Sequence, residues 1–292
     1  MSYSIYPKLR AIYSFLPTSA ETEELLYSKD VSEFKNHVIE MRFLKRFPLI
    51  DSDIESHLRR IPFSLGEKVR KQMSEPSVLF FEAYLRGYEL EDIKNIIRGG
   101  KGFFTRELRD KNLSIEELNT YMQNRFWKIP WNSGYSRYEE KKDKIELELP
   151  LDRYYYYSLL KETRNLSSKE RSQVREFLLS FINLKNRVYL FRLKNFYALS
   201  DFEIKKLLIP IGEVYENIKE EKGLSEGSFR REISKICYKD FKFRMFTMRA
   251  ILAFFFLLNE KINEILSIYR AKLLQLKPQE IIEMWRKLYV GS

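Results

Sequence analysis

Cysteine occurs once, at Cys237, and histidine twice, at His37 and His57. One thiol cannot form an internal disulfide, which fits a reducing compartment. So few histidines and thiols also leave no HExxH helix, no zinc-ligand cluster and no Cys-His nucleophile pair. Glycine and proline are scarce too, 10 and 9 in 292 residues. That is fewer than the frequent turns of a β-sandwich or barrel demand. The longest apolar run, Ala250 to Leu258, has nine residues, whereas a membrane-spanning helix needs about 20. The opening Met1–Arg10 lacks the apolar core of a secretory signal, so the expected location is cytoplasmic.

What is present argues for long helices joined by few connections. Hydrophobic residues make up 44%, with 22 Phe and 19 Tyr, enough to bury a core despite 32% charged residues. The net charge of +11 points to a polyanionic partner, either nucleic acid or the anionic face of a membrane. Acids are interleaved with the bases, as in Glu139-Glu140-Lys141-Lys142-Asp143-Lys144, the pattern of a solvated helix face.

The chain repeats itself. Three windows of 19 residues align without gaps, Phe80–Arg98, Val174–Arg192 and Leu252–Arg270, and each closes on arginine. Seven columns are apolar in all three, where chance at this composition gives about one or two. Most fall on one broad helical stripe. Six residues before each closing arginine stands an oxygen-bearing side chain (Asp92, Asn186, Glu264), and shortly after it a lysine (Lys101, Lys194, Lys272). Leu113–Leu118, Leu199–Ile204 and Leu276–Ile281 then open a new helix each, the first two through an S-x-x-E capping box and the third through Pro278 in its first turn. The spacing predicts an all-α chain of three helical domains, 1–130, 131–211 and 212–292. Their boundaries are expected near Pro130–Gly134 and Pro210–Gly212. Ile145–Leu149 alternates like a short strand but reads as linker.

The search for chemistry yields little. Arg98-Gly99-Gly100-Lys101-Gly102 is no phosphate loop, because Asn95 and Gly102 stand where glycine and Ser or Thr belong; it reads as a helix stopped by glycines. The tyrosines Tyr154–Tyr157 could stack on bases but point around a helix, which favours packing, and Phe254–Leu258 reads as core. Arg98, Arg192 and Arg270 are the candidate interface residues. Each is either one half of a structural ion pair or a surface fork for a partner's carboxylate.

These residues carry a family resemblance. Leu90-Glu91-Asp92-Ile93-Lys94-Asn95-Ile96-Ile97-Arg98, the segment Ile145–Leu160 with Leu151-Asp152-Arg153-Tyr154, and Asn259–Leu273 followed by Leu276–Ile281 resemble, in order, three stretches of the C-type rotor subunit of A-type and bacterial V-type ATPases, whose eukaryotic counterpart is the d-type one. Tyr6-Pro7-Lys8-Leu9-Arg10 is only loosely similar to the family's arginine-rich start. The resemblance implies a funnel of three similar helical domains with pseudo-threefold symmetry, seated on the membrane proteolipid ring with the foot of the central stalk in its cavity. Such a rotor adapter serves ATP-linked proton or sodium transport, needs no catalytic residue or cofactor, and sits on the cytoplasmic face of the membrane, in contact with its anionic surface. The rival reading from the residues alone is a basic helical nucleic-acid binder, and an enzyme with a dispersed carboxylate pair is a second.

Overall fold

The computed structural model describes residues 5–48, 53–197, 199–212, 215 and 226–285, without the side chains of 195–197, 226–230 and 284–285. Among the described residues there are fourteen α-helices and no strand, only a lone bridge between Gly102 and Arg109. Of the opening Met1–Arg10, residues 1–4 lie outside the described residues and Ile5–Arg10 begin the first helix. The chain divides into two compact units, one formed by Met1–Ser74 with Gly223–Ser292 and the other by Glu75–Lys222.

The terminal unit contains α1 (Ile5–Tyr13), α2 (Ser19–Tyr27), α3 (Val31–Glu40), α4 (Arg42–Arg46), α5 (Ile54–Arg70), α12 (Glu226–Phe243), α13 (Met248–Leu273) and α14 (Pro278–Trp285). Helix α13 is its axis and packs against α1, α2, α3, α5 and α12. Phe254, Phe255 and Leu258 of the long apolar run are fully buried there, with Phe34 and Phe241. Chain ends that are far apart in sequence meet in this unit: the Tyr6 hydroxyl donates to the Phe241 carbonyl, and Lys272 donates to the Ser28 carbonyl at 2.5 Å.

The central unit contains α6 (Glu75–Ile97), α7 (Ile115–Met122), α8 (Lys128–Lys141), α9 (Ile145–Glu162), α10 (Ser168–Tyr197) and α11 (Asp201–Leu207). Trp127 and Trp131 lie at 0% exposure in its core with Leu90, Ile93, Ile97, Leu118 and Leu151. Their indole N–H groups donate to Glu89 and Asn119 at 2.9 and 2.8 Å, so two large rings are buried without stranding a donor.

The windows follow the three long helices α6, α10 and α13, with Arg98 just past the end of α6. Four of the shared apolar columns are buried in all three copies: Phe80, Val174 and Leu252; Ala83, Phe177 and Phe255; Leu90, Leu184 and Ile262; Ile96, Leu190 and Ile268. Capping boxes open α7 at Ser114 and α11 at Ser200, each closed by a glutamate three residues on, and Pro278 opens α14. Gly99, with φ of 90°, stops α6 in a Schellman arrangement: its N–H donates to Ile96 and that of Gly100 to Asn95.

Two stretches differ from their sequence reading. Ile145–Leu149 is not a linker but the first turns of α9. Its alternating glutamates mimic a strand, yet each has its own cation: Glu146 pairs with Arg137 and Lys141, and Glu148 with Arg98, while Leu147 and Leu149 are buried. Pro130–Gly134 lies within α8, where proline is tolerated in the first turn. Gly134 is there for close packing, since a Cβ at that position would stand 2.5 Å from the Glu146 carbonyl oxygen.

Candidate functional site

The polar frame of the repeat has a structural task in two of its three copies. Asp92, at 0% exposure near the end of α6, accepts from the N–H groups of Phe103, Phe104 and Thr105 and from the Thr105 hydroxyl, holding the loop after the helix against it. Burial raises its pKa, and those donors pull it back. Asn186, equally buried on α10, accepts from the Ile209 N–H at 2.8 Å and donates to the Ile209 carbonyl at 2.9 Å. Glu264 departs from the pattern, forming a partly exposed pair with Lys261 on its own helix.

A buried ionic cluster joins the C-terminal end of α6 to α9 and α10. Glu91, Lys94 and Arg98 share one face of α6, Glu148, Asp152 and Tyr156 one face of α9, and Lys185, Tyr189 and Arg192 one face of α10. Lys94 and Asp152, 2% and 3% exposed, are 3.2 Å apart, and Lys94 also reaches the half-exposed Glu91 at 3.0 Å. Tyr189 donates its hydroxyl to the other Asp152 oxygen. Arg98 closes the row with a bidentate pair to Glu148, Nε to Oε1 at 2.9 Å and Nη2 to Oε2 at 2.5 Å. Lys185 lies with its ammonium 5.3 Å from the Tyr189 ring centroid.

The cluster fixes its own charge states. Burial favours neutral Lys94, but Asp152 and Glu91 outweigh it and hold the ammonium above the ordinary lysine range. Burial favours neutral Asp152, but Lys94, Lys185 and Tyr189 hold it below the usual carboxylate range. Lys185 is pushed down, first by burial and then by Lys94. Burial and Asp152 push the Tyr189 phenol well up, so it stays a donor. Such a cluster orients three helices by charge pairing and hydrogen bonds.

The nominated arginines are therefore divided. Arg98 belongs to the cluster, and Arg192 is exposed two turns beyond Lys185, whose charge it disfavours. Arg270 lies in the terminal unit, with Nη2 2.6 Å from Glu55 of α5. Sequence reasoning passed over Lys94, Glu148, Asp152, Lys185 and Tyr189. One signal was available: Lys94 stands in a repeat column that holds Val188 and Leu266 in the other copies, and a lysine in an apolar column needs a buried partner.

Little else resembles a reactive centre. Burial raises the pKa of the Cys237 thiol, which is fully buried. Among the described residues no group of three or more His, Cys, Asp or Glu side chains could hold a metal ion, and no helix is long and apolar enough to cross a membrane. An open groove along the first turns of α10, lined by Arg171, Arg175, Glu176 and Leu179 among others, contains one carboxylate, not the pair that acid–base hydrolysis requires.

The sequence profile of the ATP synthase (C/AC39) subunit family matches residues 5–221. The chain belongs to that family. The match takes in α1–α11, hence the first two copies of the repeat and the whole ionic cluster, and stops short of α12. No individual curated protein matches the chain. As a C/AC39 subunit it is a structural, non-catalytic component of a V/A-type ATPase complex.

Proposed function

We propose that this C/AC39 subunit is the rotor adapter of its ATPase: it caps the membrane proteolipid ring, receives the foot of the central stalk, and passes torque between them as a rigid body during ATP-linked proton or sodium transport. The family match carries the reading. The geometry supports it, because a torque-bearing part needs stiffness, and here long helices are cross-braced by buried ion pairs and by Asp92 and Asn186 anchoring their loops. Three domains, 1–130, 131–211 and 212–292, each carrying one long helix of the repeat, would form the funnel with pseudo-threefold symmetry. Arg98, Arg192 and Arg270, all exposed or half exposed, are the proposed contacts to acidic groups of the ring or stalk. The adapter would sit peripherally on the cytoplasmic face, its net charge of +11 against anionic lipid.

Affinity capture of the tagged chain from gently solubilised membranes tests this. Proteolipid and central-stalk subunits are expected to co-purify, and less of them with Arg192→Glu and Arg270→Glu together. Recovery of nucleic acid without ATPase subunits would overturn the reading.

A further inference from the structure

The turn joining α12 to α13 exposes a run of apolar side chains. Phe243, Met245 and Phe246 are 67%, 52% and 41% exposed at consecutive or near-consecutive positions, and Tyr238 is 48% exposed one turn back on α12. From Lys235 to Arg249 the bases are Lys235, Lys239, Lys242, Arg244 and Arg249, and the one acid is Asp240. That acid is buried, 2.6 Å from Arg249 and 3.1 Å from Arg244. Every charge this segment shows to solvent is therefore positive.

The turn is also built to hold its shape. Phe246 has φ of 61°, a left-handed conformation that costs a bulky residue energy, and it persists because the flanks are fixed. Asp240 clamps Arg244 and Arg249 from both sides, the Thr247 side chain accepts from the Ala250 N–H to start α13, and the Phe246 ring lies 5.1 Å from Tyr6. A rigid turn that presents aromatic and thioether side chains at its tip, ringed by exposed lysines, has the chemistry of an interfacial anchor: apolar groups enter the headgroup–acyl boundary and cations meet lipid phosphates.

We propose that residues 238–246 dock on an anionic lipid bilayer, with Phe243 and Met245 inserted and Lys239 and Lys242 on the headgroups. The proposal deepens the membrane-facing part of the adapter reading by naming the segment that makes the contact, and it rests on that reading for the membrane being the one that holds the ring. The purified full chain is sedimented with vesicles of phosphatidylcholine alone or mixed with phosphatidylglycerol. Binding is expected only with the anionic lipid. Phe243→Ser with Met245→Ser, and separately Lys239→Glu with Lys242→Glu, should each weaken it by about tenfold or more. Ile129→Ser with Phe202→Ser, which removes exposed apolar groups of the central unit, should leave it unchanged, and circular-dichroism melts should show all three pairs folded. Undiminished binding by the tip variants, or equal binding to neutral vesicles, overturns the proposal. So does a tip variant that keeps lipid binding but loses co-purified ATPase subunits, because the tip is then a protein contact. Failure of the wild-type chain to capture ring and stalk, with the vesicle results as expected, would instead sink the adapter reading alone.

Discussion

Lys94→Met should destabilise the protein by about 3–5 kcal/mol, read from the denaturant midpoint, because it leaves Asp152 charged, buried and without its nearest cation. Replacing both, Lys94→Met with Asp152→Leu, should recover most of the loss, since the cost lies in the uncompensated charge more than in the absent pair. The pH dependence follows from the directions of the shifts. The folded pKa of Asp152 lies below its ordinary value, so its contribution is complete above about pH 4 and is lost as pH falls through the depressed value. That of Lys94 lies above its ordinary value, so its contribution is complete below about pH 10 and is lost as pH rises through the raised value. The gap between wild type and Lys94→Met should thus be widest between those limits and narrow toward both. A gap that is small throughout, or independent of pH, would show that the pair is incidental.

Asp92→Ala should cost about 3 kcal/mol or more, since it strands the N–H groups of Phe103, Phe104 and Thr105 at a site the carboxylate now fills, each worth about 1–3 kcal/mol when buried unpaired. Hydrogen exchange should report it locally, with those three amides exchanging much faster than those of α6. Asn186→Ala removes the corresponding anchor from the second repeat and should cost about 2–3 kcal/mol through the Ile209 amide and carbonyl. Glu264→Ala, at the same repeat position, should cost under about 1 kcal/mol, because it breaks only a partly exposed pair within one helix. Three equal losses would mean that the column is a shared helical habit rather than an anchor retained in two copies.

Why the long helices were legible is clear from the windows themselves: apolar columns at helical spacing are a local property, and the capping boxes at Ser114 and Ser200 mark where the next helix begins. Ile145–Leu149 misled because Glu146 and Glu148 alternate with leucines, and only the cations on α8 and at the end of α6 explain one buried and one partly buried glutamate. Pro130 and Gly134 carried turn chemistry that packing against α9 put to another use. The joining of Tyr6 to Phe241, and of Lys272 to Ser28, could not be read, because no periodicity encodes which distant helices meet. The ionic cluster was half legible: Lys94 breaks an apolar column, but its partner Asp152 comes from another helix 58 residues on.

Stiffness matters only if torque passes through this protein, and coupling is where that can be seen. ATP hydrolysis and ATP-driven uptake of protons and of sodium should be measured side by side in membrane vesicles depleted of this chain and again after adding it back. The account expects hydrolysis without transport in the depleted vesicles and transport restored by the wild-type chain. Transport at an undiminished rate without it would contradict the account.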